Sequence, residues 1–197
     1  MKKSLIVIII LAVVAFILYS TFKGSYNSMV TKDESVKAAW SQVENVYQRR
    51  ADLIPNLVNT VKGAANFEQE TLTKVIEARA KATSIQVDPK NLTPEKMQEF
   101  QAAQGELSAA LGRLMVVSEQ YPQLKANQNF IDLQVQLEGT ENRITQERKR
   151  FNETVNEYNT YIRQFPNNLF SGLFNFSQRP YFESDKGAEK APEVKFE

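Results

Sequence analysis

The sequence predicts an all-α protein: an N-terminal transmembrane helix followed by an antiparallel up-down bundle of about four long helices. Three observations carry this reading. A charge-free apolar run of nineteen residues separates Lys3 from Lys23. Apolar residues recur at intervals of three and four over long stretches, the repeat that keeps one helix face against partner helices. Seven Gly and seven Pro in 197 residues are too few to punctuate a many-stranded β fold.

Composition narrows the function classes. Lys and Arg number 24 against 23 Asp and Glu, so no global field draws the chain to nucleic acid. No Cys and no His occur, which excludes thiol nucleophiles, imidazole bases, Ser-His-Asp triads and nearly all zinc or haem ligation. The length suits one core plus a short anchor. The division that follows is a polar N-terminus (1–3), a transmembrane helix (4–22), a juxtamembrane linker (23–27), a bundle (28–165), an aromatic-rich segment (166–182) and a disordered charged tail (183–197).

The anchor, SLIVIIILAVVAFILYSTF, is long enough at about 1.5 Å per residue to cross the hydrocarbon core. The competing reading is a cleaved signal peptide with Val13 and Ala15 before the cut, but the apolar run continues through Phe16, Ile17 and Leu18. Lys2, Lys3 and the free amine before the span slightly outweigh Lys23, Lys32 and Lys37 after it, which lie farther out. That balance favours an inside N-terminus with the body outside the cytoplasm. The stretch from Lys23 to Asn27 is a hinge at Gly24, unless the membrane helix runs straight on into the bundle.

The first soluble helix covers about Ser28 to Lys62. Its seam is Val36, Trp40, Val43, Tyr47, Arg50, Ile54, Leu57 and Val61, in which only Arg50 is not apolar. Burying each apolar member is worth roughly 1.5–3 kcal/mol, so the rest of the chain must cover this face. Gly63 to Asn66 is the first break. The second helix, about Glu68 to Thr83, aligns Leu72, Val75, Ile76, Arg79 and Ala82, and Asp88-Pro89 closes the connection after it. Thr93 then caps a third helix that carries Pro94 in its first turn and runs to near Tyr121-Pro122, with Met97, Phe100, Gln104, Leu107, Leu111 and Leu114 in register. The fourth, about Asn129 to Gln164, carries Phe130, Leu133, Leu137, Thr140, Ile144, Arg148, Phe151, Val155, Tyr158 and Ile162, with Phe165 in step just after it and a phase slip near Arg148. First and fourth helices match in length at roughly 50 Å. Short connections favour folding back within the chain over an intermolecular coiled coil.

Several blocks in fixed order resemble the LemA family: YNSMVTKDESVKAAWSQVENVYQRRADLIPNLVNTVKG, FEQETLTKVIEARAKA, LMVVSEQYPQLKANQNF, QLEGTENRI, VNEYNTYIRQFPNNLF and a trailing YFE, together covering Tyr26 to Glu183. The resemblance implies a single-pass membrane protein with an antiparallel helical body. For some members it implies an external N-terminus, opposite to the charge count. It supplies no catalytic residue to carry over.

Three features stand out as candidate sites. Counting along the bundle places Arg50 level with Glu138 to Glu141, so Arg50 pairs with Glu138 or Glu141 across the interior, unless it reaches out at the seam edge. Pro55 removes a backbone donor and frees the carbonyl of Ala51, which points to a kink in the first helix, or to a polar notch with Asp52 and Asn56. The tail packs six aromatics into eighteen residues. Leu169, Phe170, Leu173, Phe174, Phe176, Tyr181 and Phe182 therefore lie at the lipid interface, against a partner, or on the lower end of the bundle itself. Carboxylates such as Glu44, Glu68, Glu77, Glu106, Glu119 and Glu147 lack the His that a di-metal bundle site adds, so no cofactor is expected. The functional expectation is a membrane-anchored, non-enzymatic helical scaffold that self-associates on the lipid bilayer as a homo-oligomer. The alternative is an adaptor docked on a membrane protein such as a protease or sensor.

Overall fold

The computed structural model describes residues 2–63 and 67–183. Part of the break at Gly63 to Asn66 and the charged tail beyond Glu183 lie outside these residues. The elements are α1 (Lys2–Lys62), α2 (Gln69–Ser84), a 3₁₀ turn (Pro89–Asn91), α3 (Pro94–Ser118), α4 (Pro122–Lys125), α5 (Gln128–Arg163) and α6 (Asn167–Ser171). The four long helices run up and down as an antiparallel bundle, and no strand occurs among the described residues. α1 packs along α5, and α2 pairs with α3 beside them.

The linker expected at 23–27 is not a separate element. α1 continues without interruption for 61 residues, about 90 Å. Gly24 costs a helix only about 1 kcal/mol, too little to break one anchored by packing from Met29 onward. Leu5 to Tyr19 present exposed apolar side chains, and from Ser25 onward the same helix buries one face.

Helix ends follow local chemistry. The Thr93 hydroxyl accepts from the Lys96 amide at 3.3 Å, and the Asn127 side chain accepts from the amides of Asn129 and Phe130 at 3.0 and 3.4 Å, satisfying donors that the first turn leaves free. After α6, Asn175 adopts φ 59° and the Phe176 amide reaches back to the Ser171 carbonyl at 2.9 Å. That is a left-handed closure, which Asn tolerates better than most residues.

The core divides into two clusters. The lower one, nearer the anchor, is aromatic and holds Trp40, Tyr47, Phe100, Phe151, Tyr158 and Phe182. The upper one is mostly aliphatic, built on Ile54, Leu57, Val61, Leu72, Leu107, Leu114 and Leu137. Helix length explains the division. α2 and α3 have 16 and 25 residues, about 24 and 38 Å, and cannot cover the lower reach of α1 and α5.

An extended strap, Ser177 to Glu183, takes that place. It climbs from the base antiparallel to α5, held by paired asparagines. Asn159 exchanges two hydrogen bonds with the backbone of Arg179, at 2.9 and 2.8 Å, and Asn152 does the same with Phe182, at 2.9 and 2.8 Å. The spacing is geometric: seven helical residues rise about 10.5 Å, and three extended residues span about 10 Å.

Candidate functional site

Three polar or mixed features lie along the bundle axis: a buried arginine at the waist, an ion-pair cluster lower down, and an aromatic collar where the bundle meets the apolar span. At the waist, between the two core clusters, Arg50 is 1% exposed. Its Nη1 donates to Ser108 Oγ at 2.7 Å and Glu141 Oε2 at 2.9 Å, and its Nη2 to Gln104 Oε1 at 2.6 Å and the Gln104 carbonyl at 3.2 Å. Tyr47 lies 5.1 Å from the guanidinium across its ring. Glu138 is turned away and accepts from Gln134 instead. The Glu141 side chain is 53% exposed, so this is a buried cation with one acid at the water's edge and neutral acceptors inside. Ser108 and Gln104 had no part in the sequence reading as partners of Arg50. The polar Gln104 on the third helix's apolar stripe was the signal available.

Pro55 sits inside an unbroken α1. The Ala51 carbonyl that it frees accepts from Arg79 Nε at 2.7 Å. A side chain on the neighbouring helix thus supplies the donor that proline lacks, which is why Arg79 stands on the inner face of α2. Ile76, placed on that face by the sequence, is 44% exposed.

Below, Asp33 is 8% exposed and pairs with Arg179 Nη2 at 2.8 Å and Lys37 Nζ at 2.8 Å. Burial pushes its carboxyl up, but the hydrogen bonds from Lys37 and Arg179, with their charges, outweigh this and hold it below its ordinary value. Tyr158 donates to the Ser177 carbonyl at 3.0 Å beside this pair. Burial, then the charge of Asp33, raises the Tyr158 phenol above its usual range.

The tail separates into two parts. Phe170 and Phe174 pack edge-on against Phe22 with centroids at 5.2 and 5.4 Å, and Phe174 and Phe176 against Tyr26 at 5.0 and 6.0 Å. They form a collar around α1 just past the apolar span. Phe165, Leu169 and Leu173, four residues apart, are 80%, 62% and 73% exposed beside it. Phe182 and Tyr181 do not belong to this group; of the three placements that the sequence left open, Phe182 takes the bundle itself, which corrects its assignment to a membrane or partner contact. Phe182 is 5% exposed, stacks on Trp40 at 5.8 Å, meets Phe151 at 5.4 Å and lies under Arg148 at 5.1 Å. Tyr181 reaches Asn156 at 3.4 Å. The reason is the strap's rise: six extended residues from Phe176 to Phe182 climb about 20 Å, as do the fourteen helical residues from Tyr26 to Trp40. Arg148, placed on the interior stripe by the sequence, instead stands over that ring and donates to the Glu183 carbonyl at 2.9 Å.

Small clefts line the bundle, such as one bordered by Glu44, Gln48, Thr83, Gln86 and Gln104 with about 160 Å³ of space. Burial raises the Glu44 carboxyl there. Among the described residues no group of three or more acidic side chains converges as metal ligands would.

An apolar N-terminal helix with no buried residue in its span, continuous with a helical bundle, defines a membrane-associated helical protein. The LemA family model matches residues 39–196, and the chain belongs to the LemA family. Magnetosome protein MamQ 2 of Paramagnetospirillum magneticum is 29% identical over 206 residues, covering 96% of this chain and 75% of that protein. Magnetosome protein MamQ of Magnetospirillum gryphiswaldense is 27% identical over 207 residues, with the same two coverages. Protein LemA of Metamycoplasma hominis is 24% identical over 170 residues, covering 86% and 74%.

Proposed function

We propose that the protein is a non-enzymatic scaffold held to the bilayer by α1, its body standing outside the cytoplasm as a stiff arm and self-associating to organise the membrane surface. The observation that carries this reading is the single uninterrupted helix from Lys2 to Lys62, which joins span and bundle with no hinge between them. The collar supports it. Phe22 and Tyr26 are gripped by Phe170, Phe174 and Phe176, which fixes the bundle's attitude at the point of exit. The exposed Leu169, Leu173 and Phe165 then rest on the lipid surface as a second, weak attachment. A chain without His or Cys has little with which to run acid-base or covalent chemistry. The relatives' names, which are not those of enzymes, agree with this.

Two experiments test the reading. Leu173→Trp in vesicles of brominated lipid is expected to be quenched. Trp40, the chain's one native tryptophan, lies about 27 Å above Phe22 along α1 and serves as the unquenched reference. Quenching absent from Leu173→Trp removes the lipid contact. Because the chain has no Cys, Val135→Cys, at a position 62% exposed on α5, can be crosslinked in native membranes. A product of doubled mass supports self-association. A stoichiometric foreign partner supports the adaptor reading instead, which the exposed pair Ile131 and Val135, one turn apart, favours.

A further inference from the structure

At the base of the bundle the end of α5, α6 and the loop before the strap enclose an open groove of about 750 Å³, lined by Ile162, Arg163, Asn168, Ser171, Asn175 and Gln178 among others. Its chemistry differs from that of the surrounding surface. The segments that form the base, 19–28 and 160–178, contain Lys23 and Arg163 and no carboxylate, although the chain as a whole is nearly balanced. Arg163 is exposed, and it makes no ion pair or hydrogen bond through its side chain among the described residues. The same holds for the amide groups of Asn168, Asn175 and Gln178. One guanidinium and three amides, each with free donors, therefore edge a single concavity, with the Ser171 hydroxyl beside them.

The place of the groove matters as much as its lining. Phe170 and Phe174, interleaved in sequence with Asn168, Ser171 and Asn175, touch Phe22, three residues past the last exposed apolar side chain of the span, Tyr19. Leu169 and Leu173, on the same segment, are exposed. The groove thus has polar donors along its wall and bare apolar side chains beside it, close to the height at which a bilayer's phosphates lie.

We propose that this groove is a binding site for the headgroup of an anionic phospholipid. The Arg163 guanidinium takes the phosphodiester in the planar two-pronged manner that suits it. The amides of Asn168, Asn175 and Gln178 donate to ester and headgroup oxygens, and the acyl chains pass beside Leu169 and Leu173. The volume falls within the range of small-molecule sites, about 300–1,000 Å³. The site deepens the scaffold reading, since it rests on the base facing the bilayer, and it makes attachment depend on which lipids surround the protein.

Native mass spectrometry of the full chain provides the test, using mild release from nanodiscs of phosphatidylcholine with phosphatidylglycerol. Retention of phosphatidylglycerol is expected to exceed its share in the disc by roughly fivefold, the factor one cation is worth beside an anionic headgroup. Arg163→Gln abolishes the excess, and Arg163→Lys keeps part of it. Arg143→Gln, an exposed cation higher on α5, leaves it unchanged. No excess in the parent protein, or the same excess in Arg163→Gln, overturns the site. Displacement of the bound lipid by soluble glycerol phosphate at equal concentration shows a site for free phosphate esters and overturns the lipid assignment. If Leu173→Trp is quenched by brominated lipid but no headgroup preference appears, the groove proposal alone fails. If quenching is absent too, the membrane-facing reading of the base fails with it.

Discussion

The lower and upper halves of the bundle, divided at Arg50, follow the same three-and-four repeat and solve the problem of covering it differently. In the upper half four helices are present, and Leu, Ile, Val and Ala side chains interlock between neighbours joined by short connections. In the lower half α2 has ended and α3 begins only at the level of Tyr47 and Trp40, so α1 and α5 share an apolar face with too few helical partners. A piece of irregular chain more than 130 residues from Trp40 fills the gap, driving the Phe182 ring between Trp40 and Phe151. The difference teaches that a helix repeat states how much surface must be buried, while relative helix lengths decide what buries it.

The comparison can be broken most severely at Phe182. Phe182→Ala is expected to cost about 3–5 kcal/mol and to strip amide-exchange protection from the lower half while leaving the upper half slow to exchange. Uniform loss across the bundle would show that the halves are one cooperative unit. Next comes the boundary itself. Arg50→Met leaves the acceptors of Gln104 and Ser108 without their donor and is expected to lower stability by roughly 3 kcal/mol in denaturant titration. Glu141→Gln costs less, because that carboxylate is half in water.

Smaller effects sharpen the picture. Asn159→Ala orphans both the amide and the carbonyl of Arg179 and is expected to cost roughly 1–3 kcal/mol, felt only in the lower half. Asn156→Ala, whose partner is the exposed Tyr181 hydroxyl at 3.4 Å, is expected to be near neutral. Acid has a direction too. The folded Asp33 carboxyl titrates below its ordinary value of 3.8, so its contribution is complete above that pH and is lost as pH falls through the lower folded value. The lower half should therefore loosen below about pH 3.8 in near-UV circular dichroism of Trp40, and Asp33→Asn should remove that dependence. The exposed Lys81 and Glu106 pair also contributes little, and Lys81→Ala is expected to shift stability by less than about 1 kcal/mol.

The amino-acid sequence by itself determined the apolar N-terminal helix, the helical class and the seams, because these depend on properties that repeat along one chain: a long charge-free run, a period near 3.6, and a cap such as Thr93 beside the turn that it closes. Counting at a fixed rise per residue set Arg50 level with the stretch from Glu138 to Glu141 without choosing between them, and proline chemistry was enough to mark the Ala51 carbonyl as lacking its donor. Only the tertiary structure decided that Arg79 would meet that carbonyl, that Gln104 and Ser108 would join Arg50, and that Phe182 would leave the aromatic tail for the core. Asn152 and Asn159, each one residue past the apolar stripe, were visible as letters, yet their partners are backbone groups of an extended segment with no period of its own. Such contacts arise from the match between seven helical and three extended residues, a coincidence of lengths in space that no local pattern encodes.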